Sequence, residues 1–270
     1  MKFFNIFAVA AGLVVSLPVT ANEPSLAWQP SADIASAFLL SVNGKTVWQN
    51  NSEKRLPPAS LTKLVAALVI AENPNLKDWV TISPKATQQI GTKLHLKPGE
   101  QFRAAELLGA MLIRSANDAC LALVEWDSGK EAVFVKKMNA KLVALKLKNT
   151  HFDNACGFDG TNHYSTASDL SVIADVALKT PKIMVWTDMQ AYQLPTKSGE
   201  NYVVDTSNML LGRVRGVDGL KTGFTQKAGK CLIAHAKRGS KEVLLVLLNA
   251  PNRWWDADGL INRAFDENHQ

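Results

Sequence analysis

The sequence predicts an α/β fold: one antiparallel sheet, flanked by helices, with a helical lobe inserted into it. Three observations lead there. A strand–turn–strand pattern lies near the start, at residues 35–49. Helical apolar periodicity dominates the middle, from Ser60 to Leu178. Strand-like apolar runs return at residues 219–248, before a last helix. The order strands, helices, strands, helix builds a sheet from both ends of the chain and leaves the helices between them as a lobe. Hydrophobic residues at 47% and charged residues at 20% are those of a folded globular chain, and 270 residues suffice for a well-buried core.

Each element has its own signal. Ala35 to Val42 reads as a buried strand, Asn43-Gly44 as a hairpin turn, and Lys45 to Gln49 as the return strand. Pro57-Pro58-Ala59 breaks the chain. From Ser60 to Glu72, apolar Leu61, Leu64, Val65, Leu68 and Val69 recur with a helical period, and Asn73-Pro74-Asn75 ends the run. Helices follow over Arg103–Arg114, Asn117–Trp126, Ala132–Leu147 and Thr166–Leu178. His151 to Ser165 is a long polar loop with Gly157 and Gly160. Gly219–Gly223, Lys230–Ala236 and Glu242–Leu248 read as strands, with a turn at Arg238-Gly239-Ser240, and a helix runs from about Trp255 to Phe265. There is no internal repeat.

The first residues are set apart. Met1-Lys2, the apolar run Phe7–Val19 and the small residues Val19-Thr20-Ala21 read as a secretory signal, residues 1–21, leaving residues 22–270 as one domain. The run is short for a bilayer span, which takes about 20 apolar residues. No stable membrane span is therefore expected after signal removal, and the first Cys, Cys120, is too distant for lipid attachment at a mature end. Thirty Lys+Arg against 24 Asp+Glu give +6, or +5 without Lys2. The basic residues are scattered and not interleaved with aromatics, which argues against nucleic-acid binding. Of Cys120, Cys156 and Cys231 at least one is unpaired. Cys120 and Cys231 sit in apolar runs, where a buried thiol is the simpler reading. An oxidising compartment permits one disulfide, but spacing assigns none.

Three short motifs carry chemistry. Ser60-Leu61-Thr62-Lys63 puts a hydroxyl and an amine one helical turn apart at a helix start, where free N–H groups suit an oxyanion. Alone it competes with Ser60 as a helix cap. Ser115-Ala116-Asn117 lies in a break between two apolar helices and alone competes with a second cap. Ser41-Val42-Asn43 has the same form but belongs to the hairpin. Lys221-Thr222-Gly223 runs along a strand, where a lysine and a hydroxyl suit a carboxylate and a glycine admits a close backbone. Its look-alike, Lys197-Ser198-Gly199, sits in a polar hairpin tip.

As an ordered set, the three motifs resemble those of penicillin-binding proteins and class A β-lactamases. The longer match is to the low-molecular-mass D-alanyl-D-alanine carboxypeptidases and the related D,D-endopeptidases. It is carried by Pro58 to Leu64, Ser115 to Ala119, Asp218 to Thr225 with Ala228-Gly229, and Thr150-His151-Phe152 with Asn154 and Gly157. It runs from about Ala35 to Ala250. The resemblance implies a penicillin-binding/β-lactamase-like fold, with residues 22–270 as a penicillin-binding transpeptidase-like catalytic domain. It also implies a serine D,D-peptidase that cleaves D-Ala-containing peptidoglycan peptides through an acyl-enzyme and binds β-lactams covalently. By the same resemblance Ser60 is the nucleophile, Lys63 its base and Ser115 a proton relay. Asn117, Lys221, Thr222, Gly223 and Phe224 hold substrate, with the Ser60 and Phe224 N–H groups as oxyanion hole. No cofactor or metal is implied. Secretion, most simply to a periplasm, suits that substrate.

Alternatives differ at identifiable residues. A class A β-lactamase also needs a Glu-x-x-Leu-Asn segment, which neither Glu125 nor Glu131 begins, so slow β-lactam turnover is expected. A zinc peptidase lacks support, because His95, His151, His163, His235 and His269 form no His-x-x-x-His pair. A D,D-endopeptidase cutting cross-links remains open beside the carboxypeptidase. Phe224 and the acidic, polar end Asp266–Gln270, which is no membrane anchor, fit the endopeptidase branch. A catalytically inactive wall-binding module also remains open.

Overall fold

The computed structural model describes Met1 and residues 29–266; the expected signal at residues 1–21 lies outside the described residues, Met1 apart. A short 3₁₀ turn (Ala32–Ile34) leads into β1 (Ala37–Val42) and β2 (Lys45–Asn50). A 3₁₀ turn over Ala59–Thr62 runs directly into α1 (Lys63–Glu72). Then come β3 (Trp79–Thr81), α2 (Pro84–Thr87), β4 (Gln101–Arg103), α3 (Ala104–Ile113), α4 (Asn117–Ser128), α5 (Glu131–Ala144), α6 (Ala167–Leu178) and α7 (Pro181–Thr187). β5 (Ala191–Pro195) and β6 (Asn201–Asp205) form a hairpin. β7 (Val217–Thr225), β8 (Gly229–Arg238), β9 (Lys241–Leu248) and α8 (Arg253–Asp266) finish the chain. No helix among the described residues is long and apolar enough to cross a membrane.

Five strands form one antiparallel sheet in the order β2-β1-β9-β8-β7. Both ends of the chain do contribute to it, since β1 pairs with β9 from Ala37↔Leu248 to Val42↔Val243. Successive side chains of a strand point to opposite faces. Phe38, Leu40, Leu232, Ala234, Leu245 and Leu247 pack toward α8, while Leu39, Ile233, Leu244 and Val246 join the core of the helical lobe. Burial on both faces explains why these strands read as unbroken apolar runs. The inner face of α8 is Ala257, Leu260, Ile261 and Ala264, an i, i+3, i+4, i+7 stripe.

The structure departs from the sequence reading in detail. The segment read as one helix from Ser60 begins as a 3₁₀ turn, and nine of the ten residues of α1, Lys63 through Ala71, are buried. α1 is thus a central helix wrapped by α3, α4, α5, α6 and α7 rather than an amphipathic surface helix. The short elements β3, β4, α2 and α7 and the strands β5 and β6 carried no signal in the sequence reading, although the tip between β5 and β6 is the expected hairpin. The buried-thiol reading of Cys120 is corrected: Cys120 and Cys156 form a disulfide, and only Cys231 among the three is a free, buried thiol.

Candidate active site

The site lies where the helical lobe meets the outer edge of β7. The Ser60 turn packs directly on that strand. Its backbone is unusual: Ala59 has φ 49°, in the left-handed region that costs a residue with a Cβ. Two glycines make the packing possible. A Cβ on Gly223 would lie 3.1 Å from Pro58 O and 3.2 Å from Ser60 N. A Cβ on Gly157 (φ 87°) would lie 2.2 Å from Ala59 O. The sequence reading gave Gly223 the task of admitting a substrate backbone; the structure shows that it also admits the backbone of Pro58–Ser60.

Ser60 is half-buried and caps no helix, since neither the 3₁₀ turn nor α1 has a side-chain cap. Its Oγ lies 3.0 Å from Lys63 Nζ. Lys63 is fully buried, and the same nitrogen donates to Asn117 Oδ1 at 2.7 Å and to the Cys156 carbonyl at 2.5 Å. Burial pushes the Lys63 amine down to about 7. Burial first, then Lys63 and Arg253, hold Lys221 well below its ordinary value. A neutral amine has two N–H groups and one lone pair. With both N–H groups given to Asn117 Oδ1 and Cys156 O, the lone pair faces the Ser60 hydroxyl. This arrangement suits transfer of the Ser60 proton to Lys63.

Ser115 and Asn117 also escape the cap reading. The residue at the N-cap of α4 is Ala116, without a side-chain cap bond. Ser115 has φ 65°, which turns it out of the break between α3 and α4. The Asn117 amide is held at both ends: Oδ1 accepts from Lys63, and Nδ2 donates to Ile90 O at 2.6 Å. Asn117 N donates to Thr92 O, and buried Asp118 accepts from the N–H groups of Leu94 and Leu96. The start of α4 therefore fixes the wall made by residues 90–96.

The third motif lies along β7. Lys221 is fully buried and donates to Thr222 O at 3.0 Å. Thr222 Oγ1 is 2.8 Å from Ser207 Oγ. Arg253, at the start of α8, donates from Nη1 to Gly223 O at 2.6 Å and to Cys231 O at 3.0 Å, while its buried Nε has no hydrogen-bond partner among the described residues. Ser60, Ser115, Asn117, Thr222, Gly223 and Phe224 line one cleft of about 660 Å³. Lys63 and Lys221 lie beneath its floor. Ser207, Arg114 and Arg253 line the cleft too, and the sequence reading missed all three. Neither look-alike motif joins the cleft: Ser41 is in β1, and Lys197 at the hairpin tip donates to Gln101.

The loop at residues 151–165 closes the site from the far side. It supplies the Cys156 carbonyl, and buried His163 ties it to the first motif. Asp153 N donates to His163 Nδ1, so Nε2 carries the hydrogen and donates to Thr62 Oγ1 at 2.8 Å. Burial lowers His163 to about 4, which keeps that tautomer neutral.

Comparison with known proteins gives a consistent result. A family model described as D-alanyl-D-alanine carboxypeptidase, peptidase S11, matches residues 23–252. The chain is 38% identical over 212 residues to the D-alanyl-D-alanine carboxypeptidase DacF of Bacillus subtilis, covering 77% of this chain and 54% of that one. It is 31% identical over 278 residues to a D-alanyl-D-alanine carboxypeptidase of Streptomyces strain K15, covering 95% and 94%. The crystal structure of the Streptomyces K15 DD-transpeptidase superposes with a TM-score of 0.83 at 28% identity, over 89% of this chain and 100% of that one. The chain spans little more than half the length of the Bacillus subtilis relative and of the Escherichia coli relatives it also matches.

Proposed function

The chain belongs to the peptidase S11 family of D-alanyl-D-alanine carboxypeptidases, and from that membership we propose that it is a serine D,D-peptidase that removes the terminal D-Ala of peptidoglycan peptides. The observation that carries this reading is the Lys63 amine, lowered to about 7 and aimed at Ser60 Oγ from 3.0 Å.

Ser60 Oγ attacks the carbonyl between the two D-Ala residues as its proton passes to Lys63. The backbone N–H groups of Ser60 and Phe224 receive the oxyanion, and such a donor is worth about 3–4 kcal/mol of barrier. The C–N bond then breaks, Ser115 relays the proton from Lys63 to the departing amine, and D-Ala leaves. Water attacks the ester and gives its proton to Lys63, which passes it to Ser60 Oγ as the ester C–O bond breaks, restoring the hydroxyl and the neutral amine. Asn117 holds Lys63 through Oδ1 and has one amide hydrogen left for the substrate. The terminal carboxylate meets Thr222 Oγ1 and the Arg253 guanidinium. Lys221, buried beneath them, donates to Thr222 O and steadies the strand that presents Thr222.

β-Lactams fit the same scheme, because their cyclic amide acylates Ser60 without releasing a leaving group. Slow release is expected. The substrate lies outside the cytoplasm, and both the signal pattern at residues 1–21 and the Cys120–Cys156 disulfide support export, most simply to a periplasm. The Streptomyces K15 match supports a second fate for the acyl-enzyme, attack by an amine instead of water.

Digestion of purified pentapeptide muropeptides tests the proposal. Wild type is expected to release D-Ala and leave tetrapeptides, and Ser60→Ala to release none. Loss of cross-linked dimers without D-Ala release would instead make the protein an endopeptidase. No reaction on either substrate would leave an inactive wall-binding module.

A further inference from the structure

Two of the three oxygens around Lys63 Nζ come from segments far apart in the chain. Asn117 is in the first turn of α4, and Cys156 is in the loop at residues 151–165. The Cys120–Cys156 disulfide joins these two segments, with a Cα–Cα distance of 6.1 Å and both residues buried. Cys120 follows Asn117 by three residues, so both lie on one side of α4. Cys156 supplies both a sulfur to the bond and the carbonyl that accepts from Lys63. The loop's other fastenings lead elsewhere. Asn154 Oδ1 accepts from Gly157 N and Phe158 N within the loop, Asn139 holds Phe152 from α5, and His163 holds Thr62. Only the disulfide ties Cys156 to the helix that carries Asn117 among the described bonds of residues 151–165.

We propose that the Cys120–Cys156 disulfide is a positioning element for the Lys63 amine, clamping Asn117 Oδ1 and Cys156 O at the separation that aims Nζ at Ser60 Oγ. The proposal rests on the reading of Ser60 and Lys63 as the reacting pair. Without the bond, the Cys156 carbonyl is free to draw back and water to enter beside Nζ. A hydrated amine holds its proton more tightly, so the neutral form becomes scarcer at pH 7. The titratable groups around Lys63 are held by bonds that do not depend on the disulfide. Lys221 on β7 donates to Thr222 O, and Arg253 on α8 donates to Gly223 O and Cys231 O. Asp118 on α4, Glu131 on α5 and Asp169 on α6 are turned to other donors, and His163 is engaged with Thr62.

The test is the pH profile of acylation by a fluorescent penicillin, for wild type and for C120A/C156A, with folding checked by circular dichroism. The acidic limb of the variant is expected to move up by about one pH unit, with acylation at pH 7 about fivefold slower, since the neutral fraction there falls from about one half to about one tenth. An unmoved limb with acylation within about twofold of wild type at pH 7 overturns the proposal, even if the melting temperature falls, and leaves the Ser60–Lys63 reading intact. If wild type itself is not acylated, both fail together. Should the variant not fold, the same profile is read on native wild type after phosphine reduction, with opening of this bond verified by alkylation and intact mass.

Discussion

A lysine takes a proton from a serine near neutral pH only when its own proton is loosely held, and Lys63 meets that condition through burial. The sign follows directly. Protonated Lys63 cannot accept, so acylation of Ser60 falls as pH drops through about 7 and levels off above it. The rate at pH 6 is expected to be about one tenth of its plateau, measured with a penicillin in single turnover. Lys221 is buried, donates to Thr222 O, and is held well below its ordinary value by burial first, then by Lys63 and Arg253. Burying that amine is a cost to the fold. Lys221→Met is therefore expected to raise stability by about 1–3 kcal/mol in thermal melts while lowering kcat/KM on D-alanyl-D-alanine peptides by about a hundredfold or more. At this scale much of the site is legible in the sequence. Ser60, Lys63, Ser115, Asn117, Lys221 and Thr222 each have a side chain whose type announces its chemistry. The Cys156 carbonyl is not legible, because every residue has one. Arg253 is not legible either, because it belongs to no motif and reaches β7 only through the packing of α8.

The loop at residues 151–165 shows what an element adds. It has almost no regular structure, yet it contributes a carbonyl to Lys63, a disulfide to α4 and His163 to Thr62. Gly157 presses it onto the Ser60 turn. Gly157→Ala places a Cβ against the Ala59 carbonyl at a positive φ and is expected to cost about 2–4 kcal/mol by denaturant unfolding. Penicillin acylation should slow with it, because the same movement displaces Cys156 O. A stability unchanged from wild type would mean that the loop does not press on the Ser60 turn in this way. Of the elements that escaped the sequence, β3, β4 and α2 have too few residues to show a period, being three or four residues long. The disulfide escaped for a related reason: a separation of 36 residues carries no pairing information.

The described residues form one five-stranded sheet and one helical lobe, with two small two-stranded ladders, β3-β4 and β5-β6, and sheet and lobe share a core. Leu39, Ile233, Leu244 and Val246 from the sheet pack in the same cluster as Leu64, Leu68, Leu107 and Leu121 from the lobe. Lobe and sheet are therefore expected to unfold together. Tryptophan fluorescence and far-ultraviolet circular dichroism should give one coincident thermal transition, and two separated transitions would show the lobe to be an independent unit. The cleft forms where the two parts meet, which lets Ser60, Ser115 and Thr222 face one another from three distant stretches of chain. Hydrophobic patterning made that architecture legible, because burial on both faces left long apolar strands and burial around α1 left an apolar helix. The most direct test of the central claim is intact-mass analysis after incubation with a penicillin. A mass increase of one penicillin on wild type, mapped to the peptide containing Ser60 and absent from Ser60→Ala, is the expected result. The same adduct on both proteins, or on neither, would contradict it.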